Sequence, residues 1–273
     1  MKENGLIEKS IYPYQNYIFD LYGTLADVRT EESDQALWAA MAELYRRYGA
    51  ELSGGALRER FQALEAAERA RLAAELGTNY PEIRVERVFY RLLRAPADGV
   101  GPLTDPEGDD RARVELIANI FRALSNRWLR LYPGALECLD RLREAGKRVY
   151  LLSNAQRAYT APEVRLLGLT DRFDAIYLSS DYGLCKPDPR FMQLLLDREG
   201  LDPAASVMIG NEPGCDLGVA LRSGVRGILH NTDRLSPRTI RARLEDAVGV
   251  PAAAVEAFWR ETRVIDDLSA LLR

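Results

Sequence analysis

The chain has 273 residues, 47% of them apolar, and a net charge of −4 with both signs interspersed. That length accommodates one α/β domain with a large insertion or two modest domains, and the charge pattern offers no basic field for nucleic acid or an anionic membrane. Three scattered cysteines without CxxC spacing exclude a disulfide framework and a zinc site. A polar stretch, Met1–Pro13, without an apolar signal core, and the lack of any run of roughly 20 apolar residues, lead us to expect a cytoplasmic protein.

In chain order, the first strand-like run is Tyr17–Tyr22, short, apolar and rich in β-formers. From Leu25 to about Leu131 the pattern is helical. Ser33 is a candidate N-cap for a helix bearing Leu37, Met41, Leu44 and Tyr48 on one stripe, ending at Gly49. A second stripe runs through Leu57, Phe61, Leu64, Leu72 and Leu76, and a third helix covers Val85–Leu93. Ala95–Asp110, rich in Pro, Gly and Asp, reads as a mobile loop, and Val114–Leu129 as a long returning helix. Four further strands follow at Arg148–Leu152, Ala175–Ser179, Ser206–Ile209 and Arg226–His230, each leading through a polar or glycine-bearing break into a helical pattern. This is the rhythm of parallel βαβ units. The expected architecture is α/β: a Rossmann-like parallel-sheet core over residues 1–26 and 132–273, with a helical cap inserted over 27–131. The tail from Ser236 reads as two or three short helices without an assigned role.

Chemistry-bearing residues recur at the carboxyl ends of these strands, where α/β sheets bind ligands. Asp20 ends the first and is followed by Tyr22-Gly23-Thr24; Ser153 and Asn154 end the second. Lys186-Pro187-Asp188-Pro189 follows the third, and Asn211, Glu212 and Asp216 end the fourth. Alone, each has a bland reading: an Asp-x-x-Gly turn or a solvated loop lysine. Together and in order they are a strong signal.

These four segments resemble the four motifs of the haloacid dehalogenase superfamily, and the inserted helices resemble its first type of cap. The resemblance implies that Asp20 attacks the substrate and forms a covalent ester. It implies that Ser153 holds the substrate anion, with Tyr22, Thr24, Asn154 and Asn211 around it, and that Lys186 offsets charge on Asp20 and the reacting oxygens. Glu212 and Asp216 would activate water or, with Asp20 and the main-chain carbonyl of Tyr22, hold Mg²⁺.

Two reactions are compatible with the resemblance. Phosphatases of this type carry a second Asp two places after the nucleophile to protonate the leaving alcohol; here that place is Tyr22. A halide leaves without a proton, and Asp-x-Tyr-Gly-Thr-Leu with Lys-Pro-Asp-Pro-Arg is similar to 2-haloacid dehalogenases, so dehalogenation of short 2-halocarboxylates is the first expectation, with no cofactor required. The acids Glu212 and Asp216, and Met192 where dehalogenases carry an aromatic, point instead to a Mg²⁺-dependent small-molecule phosphatase. A third reading is a catalytically weak protein that binds an anion or a partner.

The partner expected is a small anionic substrate, with neither nucleic acid nor membrane, and monomer and homodimer both stay open. A halide cradle would draw a cation from the cap, for which Arg60 and Arg58 are candidates, although both, like Arg157, read more readily as members of a solvated charged face. Trp38, Trp128 and Trp259 read as packing residues. His230 ends the fifth strand away from the motifs, so a Ser–His mechanism is not expected.

Overall fold

The computed structural model describes residues 13–94 and 103–272. Met1–Tyr12 of the polar leader, and residues 95–102 of the loop expected at Ala95–Asp110, lie outside the described residues. The chain begins with β1 (Asn16–Phe19), β2 (Ala26–Thr30), α1 (Gln35–Arg46), α2 (Gly54–Leu76), α3 (Val85–Leu93), α4 (Asp109–Ser125) and β3 (Asn126–Leu131). It continues with α5 (Ala135–Glu144), β4 (Arg148–Ser153), α6 (Arg157–Leu166), β5 (Ala175–Leu178), α7 (Pro189–Glu199) and β6 (Ser206–Gly210). The last elements are α8 (Gly218–Arg222), β7 (Arg226–His230), α9 (Pro237–Val248), α10 (Ala252–Glu261) and β8 (Arg263–Ile265).

Six strands form one parallel sheet in the order β5-β4-β1-β6-β7-β8. All four residues of β1 are buried, as are all five of β6, because helices cover both faces and leave no solvated side for an alternating pattern. The chain leaves β1 for β4 and β5 on one side and then returns to β6 on the other. The strand order therefore reverses beside β1, opening a crevice at the carboxyl ends of β1, β4 and β6. Phe19 stands opposite both Leu151 and Ile209, so the residues just beyond these three positions share that crevice.

The stretch expected to be purely helical contains two strands. β2 and β3 pair antiparallel, Ala26 with Leu131 and Val28 with Leu129, at the start and finish of the helical insertion. The expected helix Val114–Leu129 accordingly ends at Ser125. Asn-Arg-Trp-Leu-Arg-Leu alternates polar and apolar residues, yet it continues the stripe of α4 closely enough to be read as more helix. Trp128, expected in packing, is 39% exposed, with the guanidinium groups of Arg29 and Arg130 at 5.3 and 5.7 Å from its ring centroid. The α1 cap is Asp34, whose carboxylate accepts from Ala36 N at 2.8 Å, in place of Ser33. Its buried stripe holds Trp38 and Tyr45 where Leu44 and Tyr48 were expected.

Helices α1–α4 bury their apolar faces together. Trp38, Phe61, Phe89 and Phe121 meet with ring centroids at 5.4–5.8 Å, and Tyr159 of α6 joins the same cluster. The tail is not only helical: β8 extends the sheet beside β7, and Leu268 and Leu271 beyond it pack into the cluster that holds Leu139 and Leu142 of α5. Leu268 is fully buried. Truncating it removes both transfer energy and packing, so Leu268→Ala is expected to cost about 2–4 kcal/mol, read as a lower urea midpoint with an unchanged slope.

Candidate active site

Asp20 follows the last residue of β1, and its carboxylate is buried. Its Oδ1 accepts from Lys186 Nζ at 2.7 Å and from Ser153 Oγ, at the end of β4, at 2.9 Å. The Thr24 hydroxyl stands 3.4 Å from Oδ2 and 3.3 Å from Asn211 Oδ1. Lys186 Nζ also donates to Asp216 Oδ1 at 2.6 Å and to the Leu152 carbonyl at 2.8 Å. The ammonium thus uses all three of its protons on one neutral and two anionic acceptors. The second oxygen of Asp216 accepts from Glu212 N at 2.9 Å.

Local sequence explains these positions. Gly23 turns the chain with φ +81°, and a Cβ there would lie 2.3 Å from Asn211 Nδ2, so only glycine lets the turn meet the end of β6. At Gly210 a Cβ would lie 2.1 Å from Asp216 Cγ. Asp216 reaches the crevice because the backbone it passes carries no side chain.

Burial alone lowers the pKa of Lys186, but the two carboxylates against it prevail and raise it above the ordinary lysine value. Burial dominates at Asp216, pushing it up to about 6 against the pull of Lys186, with Asp20 adding to the rise.

Several expected roles change. The Asn154 amide was expected on the substrate, but its Nδ2 donates to the Lys186 carbonyl at 3.0 Å and its Oδ1 accepts from Lys186 N at 2.8 Å, so it clamps the lysine's backbone. The Ser153 hydroxyl is turned to Asp20. Glu212, expected beside Asp20, accepts from Gly214 N at 3.3 Å and from Arg243 Nη1 at 3.2 Å, on a side chain 39% exposed. Of the acids considered for Mg²⁺ alongside the main-chain carbonyl of Tyr22, Asp20 and Asp216 converge on Lys186 Nζ, whereas Glu212 turns to Arg243. Lys186 fills the space between two of the acids, a third faces Arg243, and no three His, Cys, Asp or Glu side chains group around a point among the described residues. His230, expected away from the motifs, donates through Nδ1 to the Thr24 carbonyl at 2.9 Å, and burial lowers its pKa. Arg58 donates to the Ser33 carbonyl, Arg157 pairs with Asp181, and neither they nor Arg60 line the cavity walled by Tyr22 and Asn154, which Asp20 itself does not line.

That cavity, about 290 Å³, lies between the crevice and the helical layer. Tyr22 forms part of its wall. The phenol donates to Glu163 Oε2 and stands 3.1 Å from Thr160 Oγ1. Burial and the Glu163 charge raise its pKa well above the usual tyrosine value, while Arg122 opposes them. Arg122, from α4, pairs with Glu163 through Nε at 2.7 Å and Nη2 at 3.2 Å, and its guanidinium carbon lies 5.5 Å from the Tyr22 ring centroid and 5.4 Å from that of Tyr159. Sequence reading missed both Arg122 and Glu163. The available signal was position: each is a charged residue on a helical face otherwise apolar, Arg122 beside Ala118 and Phe121, Glu163 above Tyr159 and Thr160.

Residues 14–224 match the family described as haloacid dehalogenase-like hydrolase, and residues 183–271 match a HAD-hydrolase-like family. The chain belongs to the haloacid dehalogenase-like hydrolases.

Among curated relatives it is 33% identical over 143 residues to a phosphoserine phosphatase of Thermus thermophilus, covering 52% of this chain and 53% of that protein. It is 32% identical over 106 residues to a phosphoglycolate phosphatase of Agrobacterium fabrum, covering 39% and 46%. It is 30% identical over 120 residues to (S)-2-haloacid dehalogenase 4A of Burkholderia cepacia, covering 44% and 52%. The chain thus spans about half the length of the curated relatives it matches. In fold it is similar to a 2-haloacid dehalogenase from Pseudomonas syringae pv. Tomato, with TM-score 0.56 and 22% identity over 95% of this chain and 96% of that one. No helix among the described residues is long and apolar enough to cross a membrane.

Asp216 must be ionised to hold Lys186 in place, so activity is expected to fall as pH drops through about 6, where its carboxyl takes up a proton. A pH–rate profile checks this, and Asp216→Asn should remove that limb along with most of the rate. Gly210→Ala, which drives a methyl into Asp216, is expected to cost at least about 2 kcal/mol of stability by overpacking, measured by chemical denaturation.

Proposed function

We propose that this hydrolase works through Asp20, that the helical layer over residues 27–131 acts as its cap, and that the bond broken is the carbon–halogen bond of a short 2-halocarboxylate. The observation that carries this reading is the state of Tyr22. The position from which a leaving alcohol would be protonated holds a phenol whose proton is directed at Glu163 and whose acidity is suppressed. A group that leaves as a stable anion is what such a site can serve, since halide needs no acid catalyst.

In this reaction an Asp20 oxygen attacks C2 of the substrate and displaces halide, forming an aspartyl ester. Water then adds to the ester carbonyl, and as the adduct collapses one of the water's protons ends on the hydroxyl of the released 2-hydroxycarboxylate while the other passes to Asp216 and out to solvent, regenerating the Asp20 carboxylate. Lys186 balances the charge that builds on the carbonyl oxygen during hydrolysis. The main-chain N–H groups of Leu21 and Tyr22 make no hydrogen bond to other described residues and are available to the substrate carboxylate. No metal has a step here. A Mg²⁺-dependent phosphatase is the second reading. It is favoured by the phosphatase names among the relatives, and would require Glu212 to leave Arg243.

The test is release of chloride or fluoride from 2-haloacids against release of phosphate from small phosphomonoesters, each with and without EDTA. We expect chelator-insensitive halide release, an adduct on Asp20 visible by mass spectrometry in turnover, and a loss of at least about 10³-fold in Asp20→Asn. Phosphate release abolished by EDTA, with no halide from any haloacid, would replace this reading by the second.

A further inference from the structure

One buried carboxylate near the site has no part in the chemistry proposed above. Glu82, in the segment between α2 and α3, is 8% exposed, and both of its oxygens are occupied by uncharged donors. Oε1 accepts from Gln156 Nε2 at 2.9 Å and from Ile83 N at 3.1 Å. Oε2 accepts from Ser179 Oγ at 2.8 Å and from Cys185 Sγ at 3.3 Å. Burying an anion on neutral partners alone is unfavourable, so what the residue does is to be sought in where those partners lie.

Three of the four donors lie outside the helical layer, each close to a residue of the site. Cys185 directly precedes Lys186. Gln156 stands two places after Asn154. Ser179, at the end of β5, accepts from Ala155 N at 2.8 Å through the same hydroxyl that donates to Glu82. Asn154 and Lys186 are the two halves of the amide clamp that holds the lysine loop. Glu82 thus lies behind that clamp and ties the neighbours of both halves to one point. The lysine side chain is a long flexible stem. Its Nζ keeps 2.7 Å from Asp20 and 2.6 Å from Asp216 only while the main chain beneath it stays fixed.

We infer that Glu82 is a positioning residue, which acts on the reaction by holding the Lys186 loop against the Ser153–Asn154 turn. The inference rests on the reading of Asp20 and Lys186 as the reacting pair but does not depend on which bond is broken. The role calls for hydrogen bonding, not for charge. In Glu82→Gln the amide oxygen can keep Gln156 and Ile83, and the amide nitrogen meets Ser179 Oγ, whose own proton has another acceptor in the Ala155 carbonyl at 3.3 Å. Glu82→Ala leaves all four donors without this partner.

The experiment compares steady-state kinetics of wild type, Glu82→Ala and Glu82→Gln, scaled to folded protein, on whichever substrate class is turned over. A displaced ammonium acts on the reacting step, so Glu82→Ala is expected to lower kcat at least about tenfold, with KM within about threefold of wild type. Glu82→Gln should recover most of that rate. A loss confined to the thermal midpoint or to KM would overturn the inference. So would a Gln variant as slow as the Ala variant, since charge and not placement would then be at work. Should Glu82→Ala not fold, Ser179→Ala cuts the link to Ala155 and should show a smaller loss in the same direction; unchanged kcat there sinks the idea. If wild type turns over neither haloacids nor phosphomonoesters, the functional reading itself fails, and acetylation of Lys186 by acetic anhydride still decides, read by peptide mass spectrometry with Lys147 as internal reference. Lys186 should label about tenfold faster or more in Glu82→Ala than in wild type or Glu82→Gln. Equal labelling in all three would mean that Glu82 does not hold the loop.

Discussion

A buried ammonium between two buried carboxylates is the contact on which the rest of this structure depends. Removing three charges from water costs several kcal/mol each, and only close, fully used hydrogen bonds recover it. Lys186 Nζ reaches Asp20, Asp216 and the Leu152 carbonyl within 2.6–2.8 Å, so four segments must be held in fixed relation. β1 presents Asp20, β4 presents the carbonyl and Ser153, the turn after β6 presents Asp216, and the loop after β5 presents the lysine. The Asn154 amide, bonded to both sides of the Lys186 backbone, holds the last of these segments in register. Loss of the lysine would leave two carboxylates facing each other in the core, which is why the fold and the reactive group cannot be varied separately.

The same economy extends to the helical layer. Glu163 on α6 collects Arg122 and Asn126 from the far side of the insertion and Tyr22 from the strand end. On the opposite side the insertion meets the lysine loop directly: Glu82 N donates to the Gly183 carbonyl at 3.0 Å, Cys185 N to the Tyr80 carbonyl at 3.0 Å, and Thr78 Oγ1 to Asp188 Oδ2 at 2.6 Å. The cavity is therefore fastened along two edges by polar contacts, whereas the helices behind it adhere through aromatic packing. Polar contacts fix geometry more narrowly than apolar ones, and here they border the space where a substrate would lie.

How much of this was legible in the sequence follows from the range of each interaction. The parallel core was readable because strands such as Arg148–Leu152 and Ser206–Ile209 are continuous apolar runs, and the four motif segments because each ends one of them. β2 and β3 were not, since two short strands that pair across about 100 residues leave no local period distinguishable from the adjoining helix. The tail strand β8 was missed for the same reason. Within the site, sequence order brought Asp20, Ser153, Lys186 and Asp216 together, but it could not show that Asn154 serves the lysine, that Glu212 turns to Arg243, or that His230 supports the Thr24 carbonyl. Those outcomes are choices among nearby partners, and only three-dimensional placement makes them. Tyr22 was recognised as the residue that distinguishes reactions, while its partner Glu163 lies 141 positions away.

Charge balance also gives the proposed chemistry a direction. At rest the buried group carries two negative charges and one positive, a net excess that burial makes costly and that shows itself in the raised pKa of Asp216. Forming the ester removes the charge of Asp20 and leaves Lys186 and Asp216 as a matched pair. In the proposed reaction the covalent step would thus relieve the charge excess that the folded site maintains, returning part of the energy spent in burying Asp20 on the way to the intermediate. Hydrolysis must then restore that charge. In the proposed reaction Asp216, left opposite the Lys186 ammonium, is the carboxylate among the described residues on that lysine through which the proton of the attacking water would be carried away. An arrangement with one lysine for two acids is consequently suited to alternate between a charged and an esterified aspartate, which a neutral, fully compensated site would not be.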